Sequence, residues 1–224
     1  MGYRNTTRGT AAYKTVLAGA VLLLASISSC AVPPGEPPEP SASASVRQWT
    51  AHTTADGLLR FEYPQDWTVT EVEALANDPA GGVSLEISDG SGRVLARLDT
   101  GVITDMSCSR PDRPAAYAEY ESVPMPALGS AQGTQQRFVY RSLAPSGPRA
   151  AQATYAVVSG VQQGGCGLFD FFSLTPSSGG RFAGEYSGAS PDDVPAYLDG
   201  AEQYQQTQEY QDLRRMLTSL RNAS

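Results

Sequence analysis

The sequence is poor in the residues on which much catalytic chemistry depends. Its 224 residues hold one histidine, His52, one lysine, Lys14, and three cysteines, Cys30, Cys108 and Cys166. A serine hydrolase needs a base beside its nucleophile. Only His52 could serve in the usual way, and the chain has no G-x-S-x-G. With one histidine and no C-x-x-C spacing, a zinc centre has too few ligands. Glycine motifs for phosphate fail as well. Gly164-Gly165-Cys166-Gly167 is followed by no P-loop lysine, and Asp89-Gly90-Ser91-Gly92 lacks the spaced oxygen ligands and closing glutamate of a calcium loop, so it reads as a hairpin turn. Carboxylate pairs remain as candidate acid and base, Glu119 with Glu121 and Asp192 with Asp193. The second pair is explained by helix capping.

A membrane-spanning length of apolar residues is also missing. Val16 to Ile27 is a run of twelve, whereas a helix needs roughly 20 to cross a bilayer. Before it stand Arg4, Arg8 and Lys14, with no acidic residue ahead of Glu36. Basic head, short apolar middle and small-residue end are the parts of an export signal. Its last residues, Ile27-Ser28-Ser29-Cys30, resemble the bacterial lipobox. That resemblance implies cleavage after Ser29 and a diacylglycerol on the Cys30 thiol, so residues 1–29 are the signal peptide and the mature chain is lipid-anchored at the extracytoplasmic face of the cell membrane.

The mature chain then has 195 residues, enough for one domain. It keeps 13 arginines and no lysine against 23 acidic residues, a net of −10. This balance argues against nucleic acid and against electrostatic binding to an anionic membrane. Arginine used to the exclusion of lysine, with abundant alanine and glycine, suggests a high-GC actinobacterial source. Cys108 and Cys166 form an even pair in a compartment where disulfides persist. A bridge would close a loop of 57 residues, contributing about 4 kcal/mol in the chain-entropy model; two buried free thiols are the other reading.

After Cys30, residues 31–45 include five prolines and no aromatic residue, and cannot bury enough apolar surface to fold. Residues 30–46 are therefore a lipidated cysteine and linker, and 47–224 a single domain. Leu59, Phe61 and Tyr63 alternate with polar neighbours, as do Val83, Leu85 and Ile87, and each pattern predicts a half-buried strand. Trp67 to Val72 is a further strand, and Arg93 to Leu98 returns from Ile87 as a hairpin. Between Thr104 and Thr134 the periodicity fades into a long crossing loop, with one or two helical turns over Pro114 to Tyr120. Gln136–Leu143, Gln152–Val158, Leu168–Leu174 and Arg181–Tyr186 read as a meander of antiparallel strands. Ser190-Pro191 starts a short helix to about Leu198. The stripe Tyr210, Leu213, Leu217 and Leu220 makes a final amphipathic helix. The aromatic residues Phe169, Phe171, Phe172, Phe182 and Tyr186 belong to a sheet core, and adjacent Phe171 and Phe172 point to opposite faces. Either helices cover both faces or one face offers an apolar groove.

The segment Phe61-Glu62-Tyr63-Pro64-Gln65-Asp66-Trp67 resembles the aromatic-x-Tyr-Pro-x-x-Trp opening of PsbP-like domains, among them a group of actinobacterial lipoproteins. The ending Met216-Leu217-Thr218-Ser219-Leu220-Arg221 resembles their last helix. The similarity spans roughly residues 56 to 222. It implies a central antiparallel sheet flanked by helices and used for binding or assembly. The chain departs from it in Cys108, Cys166 and the proline-containing stretch near 105–134. The expectation is an α+β domain, an antiparallel sheet of about six to eight strands flanked by helices. Its function is expected to be non-enzymatic, without cofactor or metal. A hydrophobic or amphipathic envelope molecule is the expected ligand, with no ligand-binding residue assignable. The alternative is an accessory or assembly subunit that binds another envelope protein.

Overall fold

Leu59 and Phe61, two residues apart, are fully buried while Arg60 between them is exposed, and this alternation sets the inner face of the first sheet. In the computed structural model the described residues are 47–74, 81–103, 116–144, 150–160, 168–188, 190 and 192–223. All lie in the second of the two units into which the chain divides, residues 45–224. Cys30, Cys108, Cys166, the signal segment and the linker lie outside them.

Strand β1 (Trp49–Thr53) pairs antiparallel with β2 (Leu59–Pro64). The turn between them is held by Thr54, whose hydroxyl accepts from Leu59 N, and by Gly57 at φ +70°. At the far end of the chain the two-residue β11 (Arg221–Asn222) pairs with β2, giving a three-stranded sheet in the order β1-β2-β11. Pro64 ends β2, since it has no amide hydrogen for a further rung. The chain then turns on a Trp67 N to Pro64 O bond of 2.9 Å. Trp67 is 6% exposed and Tyr63 packs half-buried against the core.

The larger sheet has eight strands: β3 (Thr68–Val72), β4 (Ser84–Ser88), β5 (Val94–Ile103), β6 (Ala116–Pro124), β7 (Gln136–Ala144), β8 (Gln152–Ser159), β9 (Phe172–Ser173) and β10 (Ser178–Glu185). All its pairings are antiparallel and its order is β3-β4-β5-β10-β8-β7-β6, with β9 beside β10. The coarse expectation of a mostly antiparallel α+β domain therefore holds. Its strands are not one meander, because β10 inserts between β5 and β8. Gly184 permits that insertion: a Cβ there would collide with Leu95 O and lie 2.5 Å from the Tyr155 ring.

Three local readings are corrected. Residues 116–120 are not helical turns but the start of β6, which pairs along β7 from Ala116↔Ala144 to Pro124↔Arg137. Alanine and glutamate are good helix formers, but tertiary pairing overrides local propensity, and Tyr117, Tyr120 and Val123 suit a strand that β7 can receive. The predicted strand Leu168–Leu174 shrinks to Phe172–Ser173. Residues 169 and 170 leave the ladder because Phe169 O and the Asp170 carboxylate both accept from Arg141. Finally, helix α1 (Val194–Tyr204) starts later and runs longer than predicted. Its cap is Asp193, which accepts from Ala196 N, with Pro195 in the first turn.

Helix α2 (Gln208–Thr218) follows after the Thr207 cap. It buries Tyr210, Leu213, Met216 and Leu217, each at 1% exposure or less, against β2, β7 and β8. Full burial of each such side chain contributes about 1.5–3 kcal/mol. The main core lies on this face of the large sheet, beneath the helices and the small sheet, and includes Leu85, Leu98, Phe138, Val157, Phe172 and Phe182. A second, small cluster, Val139, Ala156, Val158 and Ala183, lies on the opposite face.

Candidate functional site

A binding module of this layout would hold a small ligand in the layer between sheet and helices, so the contents of that layer matter first. They are tyrosines. Tyr140 on β7 and Tyr155 on β8 point inward from neighbouring strands, because they pair directly in register. Tyr197 and Tyr204 come down from α1, Tyr210 from α2, Tyr120 from β6, and Tyr186 follows β10. Tyr140 is the hub, with ring centroids at 5.0 Å from Tyr210, 5.1 Å from Tyr120, 6.3 Å from Tyr204 and 6.4 Å from Tyr155. Tyr204 adds Tyr186 at 5.3 Å and Tyr210 at 5.6 Å, the latter edge to face. Tilted and edge contacts at these separations are the favourable arrangements for aromatic rings.

Burying a hydroxyl without a partner is costly, and six of the seven tyrosines have one. Tyr140 donates to Ala201 O at 2.7 Å and Tyr155 to Leu95 O at 2.7 Å. Tyr197 donates to Tyr186 O and accepts from Ala153 N at 2.9 Å. Tyr204 donates to Glu209 at 2.6 Å, Tyr210 to Glu121 at 2.5 Å, and Tyr120 shares a 2.9 Å bond with Ser142. Burial pushes the hydroxyls of Tyr140, Tyr155, Tyr204 and Tyr210 well above the usual tyrosine range; neighbouring tyrosines add to it at Tyr140, Glu209 at Tyr155 and Tyr204, and Glu121 at Tyr210. In this layer of packed phenols, six of the seven hydroxyls are engaged with the protein.

The opposite face of the large sheet carries a different set. Arg141 on β7 is fully buried and donates to Asp170 at 2.8 Å and to Phe169 O at 2.7 Å. Thr154 donates to the same Asp170 oxygen at 3.2 Å. Arg137 bonds Glu119 at 2.8 Å, Ser122 at 2.7 Å and Gly160 O at 2.9 Å. Burial raises the Glu119 carboxyl, but its bonds from Arg137 and Tyr117 outweigh that and hold it low. Further along, Arg97 lies 3.2 Å from Asp99 and 3.5 Å from Glu86, with Ser84 donating to Asp99 at 2.6 Å. These pairs pin the strands and the 168–171 segment to one another.

The candidate acid–base pairs are not brought together. Glu119 and Glu121 are two residues apart, and in a regular strand they would share a face. A bulge at Tyr120 shifts the register between them. Glu119 therefore meets Arg137 on one face, whereas Glu121 meets Tyr210 and Arg214 on the other. Asp193 caps α1 and Asp192 is exposed. His52 lies half-buried on β1 with its ring 5.5 Å from that of Phe61, and burial lowers its pKa against an opposing pull from Glu71. Asp89 closes the hairpin by accepting from Ser91 N, Ser91 Oγ and Arg93 N. No group of three or more potential metal ligands occurs among the described residues. The tyrosine layer escaped sequence reasoning, although Tyr140, Tyr155, Tyr197 and Tyr204 each occupy an inward position of a strand or helix. No helix among the described residues is long and apolar enough to cross a membrane. No family model, no curated protein and no solved structure matches this chain.

Proposed function

We propose that this protein is an exported lipoprotein, anchored through Cys30 at the extracytoplasmic face of the cell membrane. Its PsbP-like domain acts there as a non-enzymatic accessory module that binds another envelope protein. The observation that carries this reading is the filled layer between sheet and helices, where Tyr140, Tyr155, Tyr204 and Tyr210 occupy the space an amphipathic ligand would need. The small-ligand reading, which the sequence alone favours, is the weaker of the two on that ground.

A non-catalytic role is supported by the commitments of the acidic residues. Glu119, Glu121, Asp170 and Asp193 are each engaged in holding strands, a segment or a helix end. Binding at the surface suits such a domain, since its rigid interior keeps the exposed strands and helix faces in fixed positions. The export signal and lipobox-like Cys30 support the tether.

The tether and the partner are tested together. Cys30→Ala should move the protein out of the detergent-extracted membrane fraction, and cross-linking in the intact envelope should join the unaltered chain to one other polypeptide at constant ratio. Membrane retention of Cys30→Ala that still requires detergent would overturn the anchor. Cross-linking that yields only the monomer would overturn the partner.

A further inference from the structure

The outer face of the small sheet departs from the charge of the whole. Arg60 on β2 pairs directly across from Arg221 on β11, and like charges facing each other on neighbouring strands are unfavourable. Arg215 on α2 stacks over the Trp49 ring at 3.9 Å and is 55% exposed. One carboxylate, Glu62, serves this group, 3.4 Å from Arg221 and 3.9 Å from Arg215. Arg60 is exposed and makes no ion pair among the described residues. Leu58, two residues before Arg60, is 56% exposed, the most exposed large apolar side chain among the described residues. The nearby Asp56 is turned onto the Thr54 hydroxyl and Leu58 N.

We propose that this face docks on the membrane to which the chain is tethered, with Arg60, Arg215 and Arg221 meeting the phosphates of anionic lipid headgroups and Trp49 and Leu58 the adjoining interfacial zone. The proposal rests on the tethered reading above. Sixteen residues, 31–46, separate Cys30 from Arg47, and Trp49 follows two residues later. Even fully extended at about 3.1 Å per residue, sixteen residues span at most about 50 Å, so this end of the domain stays within that distance of the headgroups. Tethering raises the effective concentration, and a weak site suffices. Each arginine at an anionic surface is worth roughly a five-fold preference. Tryptophan and arginine are residues that settle at such interfaces. A net-acidic domain gains orientation from the patch, since its other faces are repelled by the same surface.

The chain has two tryptophans, Trp49 and Trp67, and Trp67 is shielded in the core at 6% exposure. The lipidated mature protein is reconstituted in vesicles of brominated phosphatidylcholine, alone or with an equal amount of phosphatidylglycerol, and tryptophan quenching is read. The expected result is quenching several-fold stronger with phosphatidylglycerol, abolished in Trp49→Phe, and reduced to the neutral-vesicle level by Arg60→Glu with Arg221→Glu. High salt should have the same effect on the unaltered protein, which keeps the test independent of how the variants fold. Equal quenching in both vesicle types, or quenching indifferent to salt and to charge reversal, overturns the docking surface while leaving the tether intact. Protein that stays with neither vesicle type overturns the tether, and the surface with it.

Discussion

The Tyr210 hydroxyl donates to Glu121 Oε2 at 2.5 Å, joining two residues 89 positions apart and fastening α2 to the edge strand β6. Arg214 reaches the other oxygen of the same carboxylate at 2.5 Å. Tyr210→Phe keeps the ring and removes that bond, leaving a part-buried carboxylate oxygen without its donor. The expected cost is about 1–3 kcal/mol, read as a lower urea midpoint at unchanged slope. A variant as stable as the parent would mean that the contact adds nothing to the fold.

Asp170→Ala should be more damaging. It leaves the fully buried Arg141 guanidinium without its carboxylate, and breaking a buried pair from one side costs about 3–5 kcal/mol. Replacing both partners with apolar residues, Arg141→Met with Asp170→Leu, should recover a large part of the loss. Equal stability of the single and double variants would contradict the assignment of the cost to breaking this pair from one side.

A backbone constraint is tested at Gly184→Ala. The added methyl meets Leu95 O and the Tyr155 ring, where β10 inserts between β5 and β8. Overpacking of this kind costs about 1–3 kcal/mol. The expected signature is a lowered thermal midpoint with altered near-ultraviolet circular dichroism from the tyrosine layer. An unchanged spectrum and midpoint would show that the strands are spaced more loosely.

Alkaline pH should unfold the domain through its tyrosines. Tyr140, Tyr155, Tyr204 and Tyr210 have their folded pKa raised, chiefly by burial. A raised folded pKa gives a stability contribution that is complete below the unfolded value, near 10, and is lost as pH rises above it. Stability should therefore be indifferent to these groups up to about pH 10 and fall beyond. The tyrosinate absorbance of these four should then rise together with loss of the fold. Smooth titration of all tyrosines near pH 10 with the fold intact would contradict the buried layer. At the acid end the sign is opposite. The Asp89 carboxyl, hydrogen-bonded by Ser91 and Arg93, is held down at about 2, so its contribution is present above the ordinary aspartate value and is lost as pH falls toward 2.

What could be read from the sequence was whatever depended on neighbours in the chain. Leu59, Phe61 and Tyr63 announce β2 by alternation, Asp89 to Arg93 announces its hairpin, and Tyr210, Leu213 and Leu217 announce α2. Contacts between distant residues were not legible. Ala116 to Tyr120 carries helix formers, and only the arrival of β7 makes it a strand. Nothing local says that Arg221 and Asn222 return to β2, or that β10 separates β5 from β8. Glu119 and Glu121 look like a pair until the bulge at Tyr120 turns them to opposite faces. The tyrosine layer is the largest such gap. Its members come from β6, β7, β8, α1, α2 and the residue following β10, and no window of sequence contains enough of them to suggest a cluster.

The domain is proposed to bind a protein through its surface and not a small molecule through its interior. Native mass spectrometry of the chain purified from its own envelope, before and after organic extraction, addresses it directly. The expected result is a complex with a second polypeptide at fixed stoichiometry before extraction, no non-covalent small mass released by extraction apart from free lipid, and a Cys30-linked acyl mass on this chain. A stoichiometric small mass that is not covalently held, leaves on extraction and is absent from denatured protein would contradict it, because that molecule would have to occupy the layer assigned here to Tyr140 and its neighbours.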